Sequence, residues 1–103
     1  MTSAEVGELL KKTGLPVAYE SFPEGEVPEL PFICYINPET NGFAADGKVY
    51  YESLVIFIEL YTEKRDTVLE KCVEKVLEDF YFEKEINHIK DEKCYQITYE
   101  LEV

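Results

Sequence analysis

Residues 49–61 read VYYESLVIFIELY and predict the longest strand of this 103-residue chain. The even positions from Leu54 to Leu60 are all aliphatic, which is the period-two pattern of a β-strand with one face in a core. The odd positions are mixed but notably aromatic: Tyr51, Ser53, Val55, Phe57, Glu59 and Tyr61. Because both sets contain apolar side chains, we expect this strand to be covered on both faces.

Shorter extended segments are predicted on either side of it. The run FICYI at 32–36 ends at an Asn-Pro pair and is typical of a buried strand. An extended segment at 17–22 precedes it, and the Pro-rich residues 21–31 predict a surface loop. A weak strand is predicted at 84–90. The last strand, CYQITYELEV, alternates strictly, with these residues facing inward: Tyr95, Ile97, Tyr99, Leu101 and Val103.

Two helices complete the pattern. Thr2 and Glu5 fit a capping box for the first helix, which Gly14 ends. The second begins at Asp66 or Thr67 and has one apolar stripe: Val68, Leu69, Cys72, Val73, Val76, Leu77 and Phe80. This order predicts a single α+β domain over residues 1–103. We expect an antiparallel or mixed sheet of about four to five strands with both helices packed on one face.

Two turn signals, Asn41-Gly42 and Asp46-Gly47, lie between the predicted strands at 32–36 and 49–61. Such pairs favour tight hairpin turns. They predict a projecting β-hairpin arm over residues 37–48, with Phe43 between the two turns.

The charge balance excludes one class of function. The chain has 10 basic and 22 acidic residues, a net charge of −12. Such a field repels phosphates, so we expect no direct, sequence-specific nucleic-acid partner. Without an apolar run of about 18 residues, and without a signal peptide in the first ten residues, we expect a soluble intracellular protein and no membrane contact.

Residues with catalytic or metal-binding chemistry are few. His88 is the single histidine, and no nucleophile–base pair can be assembled around it. Cys34 and Cys72 fall on apolar patterns and are expected to be buried, whereas Cys94 is expected to be the most exposed thiol. The cysteine spacing fits no zinc site. We therefore expect no catalytic residues, no cofactor and no metal.

The remaining feature of the sequence is an excess of apolar residues that a core does not account for. Aromatic and aliphatic residues on the odd face of the long strand and in the arm exceed what a two-layer core needs. Tyrosine and phenylalanine are favoured in protein–protein interfaces. The hypothesis is an interface formed by Phe43, Tyr51, Val55, Phe57 and Tyr61. The alternative is that the chain's own helices or loops cover them.

Four phrases give the chain a family resemblance: LLKKTGLPVAYESF, LPFICYI, NGFAADGKVYYES and IELYTEKRD. In this order they resemble the small tail-terminator, or tail-completion, proteins that join head and tail in long-tailed phages and in prophages of Gram-positive bacteria. The resemblance implies a non-enzymatic α+β subunit of a ring, typically a hexamer, that caps the tail tube. Its expected partners are other copies of itself, the tail tube protein and the head-completion or connector protein. Its expected location is the virion, at the head–tail interface, and the host cytoplasm before assembly. The arm at 37–48 would reach a neighbouring subunit or the tube.

Two other classes stay open at this point. An acidic DNA-mimic inhibitor would bind a basic protein partner, with strong salt dependence. A small enzyme on a ferredoxin-like α+β domain is the third class, and it lacks an evident nucleophile–base pair.

Overall fold

The computed structural model describes residues 2–37 and 55–102, which form two α-helices and five strands. In chain order these elements are α1 (Ser3–Leu10), β1 (Val17–Tyr19), β2 (Phe32–Ile36), β3 (Val55–Thr62), α2 (Thr67–Val76), β4 (Phe82–Ile89) and β5 (Cys94–Glu102). Short 3-10 turns follow α1 and precede β5.

The strands form one sheet in the order β1-β2-β3-β5-β4. β1 pairs with β2 in parallel, and the other neighbours pair antiparallel. The predicted α+β fold with a mixed sheet is therefore confirmed. The hairpin arm predicted at 37–48 falls almost wholly outside the described residues, as does the first part of the strand predicted at 49–61.

Local sequence signals account for where the helices begin. Thr2 and Glu5 form the capping box: the Thr2 hydroxyl accepts from the Glu5 N–H, and the Glu5 carboxylate accepts from the Thr2 N–H. The Asp66 carboxylate caps α2 by accepting from the N–H groups of Val68 and Leu69. These caps satisfy backbone donors that have no partner within the helix.

The core lies between the sheet and the two helices. Burial alternates along β3, so that its even-numbered residues are buried and its odd-numbered ones are half-buried. Both helices contribute to a single buried cluster, which consists of Val6, Leu10, Ile33, Ile56, Ile58, Leu60, Val73, Leu77, Ile97, Tyr99 and Leu101. The helices therefore cover one face of the sheet. No described helix lies on the other face.

Helix α1 lies close to a side chain of the sheet at Gly7. A Cβ atom built at this buried position would lie 2.7 Å from Cζ of Tyr35 on β2. The Tyr35 ring is itself held edge-on against Tyr19, with ring centroids 5.2 Å apart. Only glycine leaves room for the tyrosine ring under the helix.

Helix α2 differs from its predicted stripe at three positions. Val68 is 78% exposed and Cys72 is also exposed, whereas Glu70 is only 2% exposed. Its carboxylate accepts two hydrogen bonds from Arg65, at 2.8 and 3.1 Å, and lies 2.8 Å from Nζ of Lys84 on β4. These two cations offset the cost of burying the charge, so the helix turns Glu70 inward and Val68 outward.

The Glu70 cluster extends onto the sheet. Nζ of Lys84 also lies 2.7 Å from the Glu74 carboxylate, which accepts a hydrogen bond of 2.9 Å from the Tyr99 hydroxyl. Burial and the neighbouring Glu74 raise the pKa of Tyr99. This network, Arg65–Glu70–Lys84–Glu74–Tyr99, connects α2 to β4 and β5.

Candidate interaction surface

The sheet face that points away from the helices is called the open face below. The strand register aligns its side chains in rows that run across β2, β3, β5 and β4. The first row is Phe32, Tyr61, Gln96 and Asn87; the second is Cys34, Glu59, Thr98 and Glu85; the third is Ile36, Phe57, Glu100 and Glu83; Val55 and Glu102 follow.

The β2–β3 half of this face is apolar. Glu59 is its only acidic member, and the other positions are Phe32, Cys34, Ile36, Val55, Phe57 and Tyr61. All of them except the buried Cys34 are half-buried. The ring of Phe32 contacts those of Phe22 and Tyr61, each with a centroid separation of 5.2 Å. We call these six residues the apolar half of the open face.

Tyr61 is fixed in place by polar contacts as well as by packing. Its hydroxyl accepts a hydrogen bond of 3.0 Å from the Gln96 amide and donates one of 3.3 Å to the Glu59 carboxylate. Burial, with smaller contributions from Glu59, raises the pKa of Tyr61 to about 12. Its neutral ring therefore stands as a preorganised aromatic contact in a strand, a rigid position for a binding residue.

The β4–β5 half is acidic. It includes Glu83, Glu85, Glu100 and Glu102, and none of these four carboxylates forms a salt bridge with another described residue. Glu83 and Glu100 are directly opposite each other in the register. Like charges in such positions repel and destabilise the strand pair.

Relieving that repulsion is expected to stabilise the fold. We expect Glu83→Gln to raise the free energy of unfolding by up to about 1 kcal/mol at low salt, and by less at high salt, where charges are screened. Denaturant unfolding at two ionic strengths measures this. Glu85→Gln is the matched control because Glu85 faces Thr98. An equal gain for both variants would mean that the gain comes from lower net charge rather than from the facing pair.

Three of the five predicted interface residues, Val55, Phe57 and Tyr61, lie together on the open face. The other two, Phe43 and Tyr51, are outside the described residues. The sequence-based hypothesis missed Phe32 and Ile36, which lie beside Tyr61 and Phe57. Their signal was present in FICYI, where Phe32, Cys34 and Ile36 alternate with the core residue Ile33.

No family model, curated protein or solved structure matches this chain. Its function is therefore inferred from the chemistry of its own surface. Over residues 2–37 and 55–102, no three His, Cys, Asp or Glu side chains are arranged to hold a metal ion. None of the helices in the same ranges is long and apolar enough to cross a membrane.

The cysteines are distributed differently from the prediction. Cys94 is buried, at 4% exposure, and Cys72 is exposed, so both expectations were wrong; Cys34 is buried as expected. Burial is the main cause that raises the pKa of both Cys34 and Cys94, which keeps these thiols protonated and unreactive at neutral pH. His88 is exposed and stacks on the Tyr95 ring at 4.5 Å.

Proposed function

We propose that this chain is a structural subunit of a phage or prophage virion. Its function would be that of a tail terminator: a homo-oligomeric ring that caps the tail tube and joins it to the head connector. The observation that carries the proposal is the apolar half of the open face, where half-buried aromatic and aliphatic residues lie on the side of the sheet without helices.

The composition of this half favours a protein partner. Aromatic side chains in rigid, partly desolvated positions are the usual centres of binding energy in interfaces. Phe57 lies between Ile36 and Glu100, so an apolar contact is bordered on one side by charge. That arrangement of an apolar centre and a polar rim is typical of protein–protein interfaces.

The family resemblance supports a ring rather than a pair. Two of its phrases, LPFICYI and IELYTEKRD, contain β2 and the end of β3, and so include Phe32, Ile36 and Tyr61 from the apolar half. In a ring each subunit uses two different patches, one for each neighbour. The end of the apolar half around Phe57, with Ile36 and Val55, would be one of these patches. The tail tube protein and the connector would contact the ring along its axis.

Substitution of Phe57 tests this role. We expect Phe57→Asp to weaken each subunit contact by about 2 kcal/mol or more, roughly thirtyfold in affinity, because a charge would replace an aromatic anchor. Mass by light scattering, with and without tail tube protein, measures assembly. Val68→Asp is the control, since Val68 is an apolar residue on helix α2 and is 78% exposed.

Circular dichroism should show that both variants keep the folded monomer. Normal assembly of Phe57→Asp would show that the apolar half is not the subunit contact. A purified protein that stays monomeric even with tube protein present would overturn the ring itself.

The acidic half favours the second candidate, a DNA-mimic inhibitor of a basic protein. Four carboxylates on one face of the sheet, without cationic partners among the described residues, form a negatively charged patch. Such a protein would be a monomer or dimer. Its binding would be lost on replacing Glu83, Glu85, Glu100 and Glu102 with Gln, whereas tail assembly would survive these changes.

A further inference from the structure

A cleft of about 480 Å³ lies at the Phe32–Tyr61 end of the open face. The 20–31 loop forms one wall, and the sheet forms the floor. Its lining is mainly apolar and includes Phe22, Val27, Leu30, Phe32, Tyr61 and the two buried thiols Cys34 and Cys94. The volume is in the range of ordinary ligand pockets.

The loop wall is built by its local sequence. Pro23, Pro28 and Pro31 prevent regular backbone pairing, and the turn at Gly25, with φ of 82°, reverses the chain. Glu20 begins the wall in the left-handed conformation, with φ of 66°, while its N–H donates to the Tyr35 carbonyl at 2.7 Å. A non-glycine residue in this region is strained, a feature that concentrates at binding sites.

The rim of the cleft is negative. Glu20, Glu29 and Glu92 line it and are exposed. None of the three forms a salt bridge with another residue in the ranges 2–37 and 55–102. The cleft therefore combines an apolar interior with three carboxylates that have no cationic partner among the described residues.

We infer that this cleft binds a basic segment of a different protein, with an apolar side chain in the cleft and neighbouring Lys or Arg side chains at the rim. Charge complementarity selects this occupant. A second copy of the chain, with a net charge of −12, complements this acidic rim less well than a basic segment does. The inference rests on the proposed function in the division of the open face. The different protein binds at the Phe32–Tyr61 end, and the Phe57 end is left for contacts between subunits.

The test uses the full chain and a defined probe, the capped pentapeptide KLKLK, with KSKSK and ELELE as comparison peptides. Titration followed by amide chemical shifts reports both affinity and position. We expect KLKLK to bind most tightly of the three. Its shifts should be concentrated on the cleft residues Phe22, Val27, Phe32, Cys34 and Tyr61.

A charge-matched pair of variants isolates the rim. Glu20→Lys, Glu29→Lys and Glu92→Lys together should weaken KLKLK binding at least about tenfold. The control combines Glu8→Lys, Glu78→Lys and Asp79→Lys, three exposed positions in or next to the helices, which change the net charge equally and do not line the cleft. It should weaken binding by less than about twofold, because remote exposed charges are screened.

Equal losses in the two variants would overturn the inference, since net charge alone would then explain binding. Equal affinity for KLKLK and KSKSK, no detectable KLKLK binding, or shifts centred elsewhere would do the same. Subunit assembly of both variants, followed by light scattering, separates the two proposals. If the rim variant assembles but does not bind the peptide, the cleft assignment is supported. If the chain binds the peptide in the cleft but does not assemble, only the ring proposal is contradicted.

Discussion

Gly7→Val is expected to lower the free energy of unfolding by about 3 kcal/mol, because the new side chain would enter space that the Tyr35 ring occupies. Even a single Cβ atom would lie 2.7 Å from Cζ of Tyr35, and valine adds two methyl groups beyond it. Moving the ring aside would break its edge-on contact with Tyr19. The higher helix propensity of valine relative to glycine offsets well under 1 kcal/mol of this loss.

Denaturant unfolding measures the loss, with Ala4→Val as the control in the same helix. Ala4 is exposed, so this change should cost about 0.5 kcal/mol or less. A double-mutant cycle with Tyr35→Ala identifies the cause. We expect a coupling of at least about 1 kcal/mol, because removing the ring removes the clash. Additive effects of the two substitutions would show that the introduced valine does not clash with the Tyr35 ring.

Arg65→Met is expected to cost about 2 kcal/mol at pH 7. Removing one partner of a buried ion pair typically costs roughly 3–5 kcal/mol, and the effect here is smaller because Lys84 still contacts the Glu70 carboxylate and Arg65 is partly exposed. The loss comes from leaving a buried charge with one cation instead of two.

The pH dependence of this loss has a definite sign. Hydrogen bonds from Arg65, supported by Lys84, lower the pKa of Glu70 from 4.5 to about 2. A carboxyl group whose pKa is lower in the folded than in the unfolded state stabilises the protein at pH values above the unfolded pKa. This contribution is at most about 3 kcal/mol here, because solvent screens the partly exposed Arg65 partner, and it disappears as the pH falls from about 4.5 towards 2. The wild-type and Arg65→Met stability curves should therefore differ most near neutral pH and converge in acid.

Lys75→Met provides the control for this experiment. Lys75 and Glu78 form a pair 3.9 Å apart, and both side chains are largely exposed. Exposed pairs contribute little, so this variant should stay within about 0.5 kcal/mol of the wild type at every pH. A pH-independent loss for Arg65→Met would contradict the assignment of the acid sensitivity to Glu70.

The strands were predictable because their signal is local. The alternation of buried residues from Ile97 to Glu102 and the apolar run at 32–36 follow from the two-residue period of an extended backbone. The caps at Thr2 and Asp66 are equally local, and both are observed. Where one face of a strand must be buried, the sequence therefore specifies which residues face the core.

Helix α2 was only partly predictable because its orientation depends on distant residues. A stripe based on hydrophobicity includes Val68 and Cys72 and excludes Glu70. The observed orientation depends on Lys84, which reaches Glu70 from β4. An ion pair between separate elements leaves no periodic signal in either one.

The candidate surface required strand register for the same reason. The sequence identified Phe57 and Tyr61 as unusual. Only the pairing of β3 with its neighbours places Tyr61 beside Phe32, and places Phe57 between Ile36 and Glu100. Cys94 was predicted to be exposed because it lies on the side of β5 that carries polar residues. It is buried where the strand meets the cleft beside the 20–31 loop, a long-range contact.

The one-sided sheet has a consequence for how this chain evolves. Along β3, Ile56, Ile58 and Leu60 belong to the buried cluster that the helices help to form, while Val55, Phe57 and Tyr61 alternate with them on the open face. Selection for a stable fold and selection for particular partners then act on alternate residues of one strand. Lineages that change partners should accumulate substitutions at every second position and leave the intervening ones nearly constant.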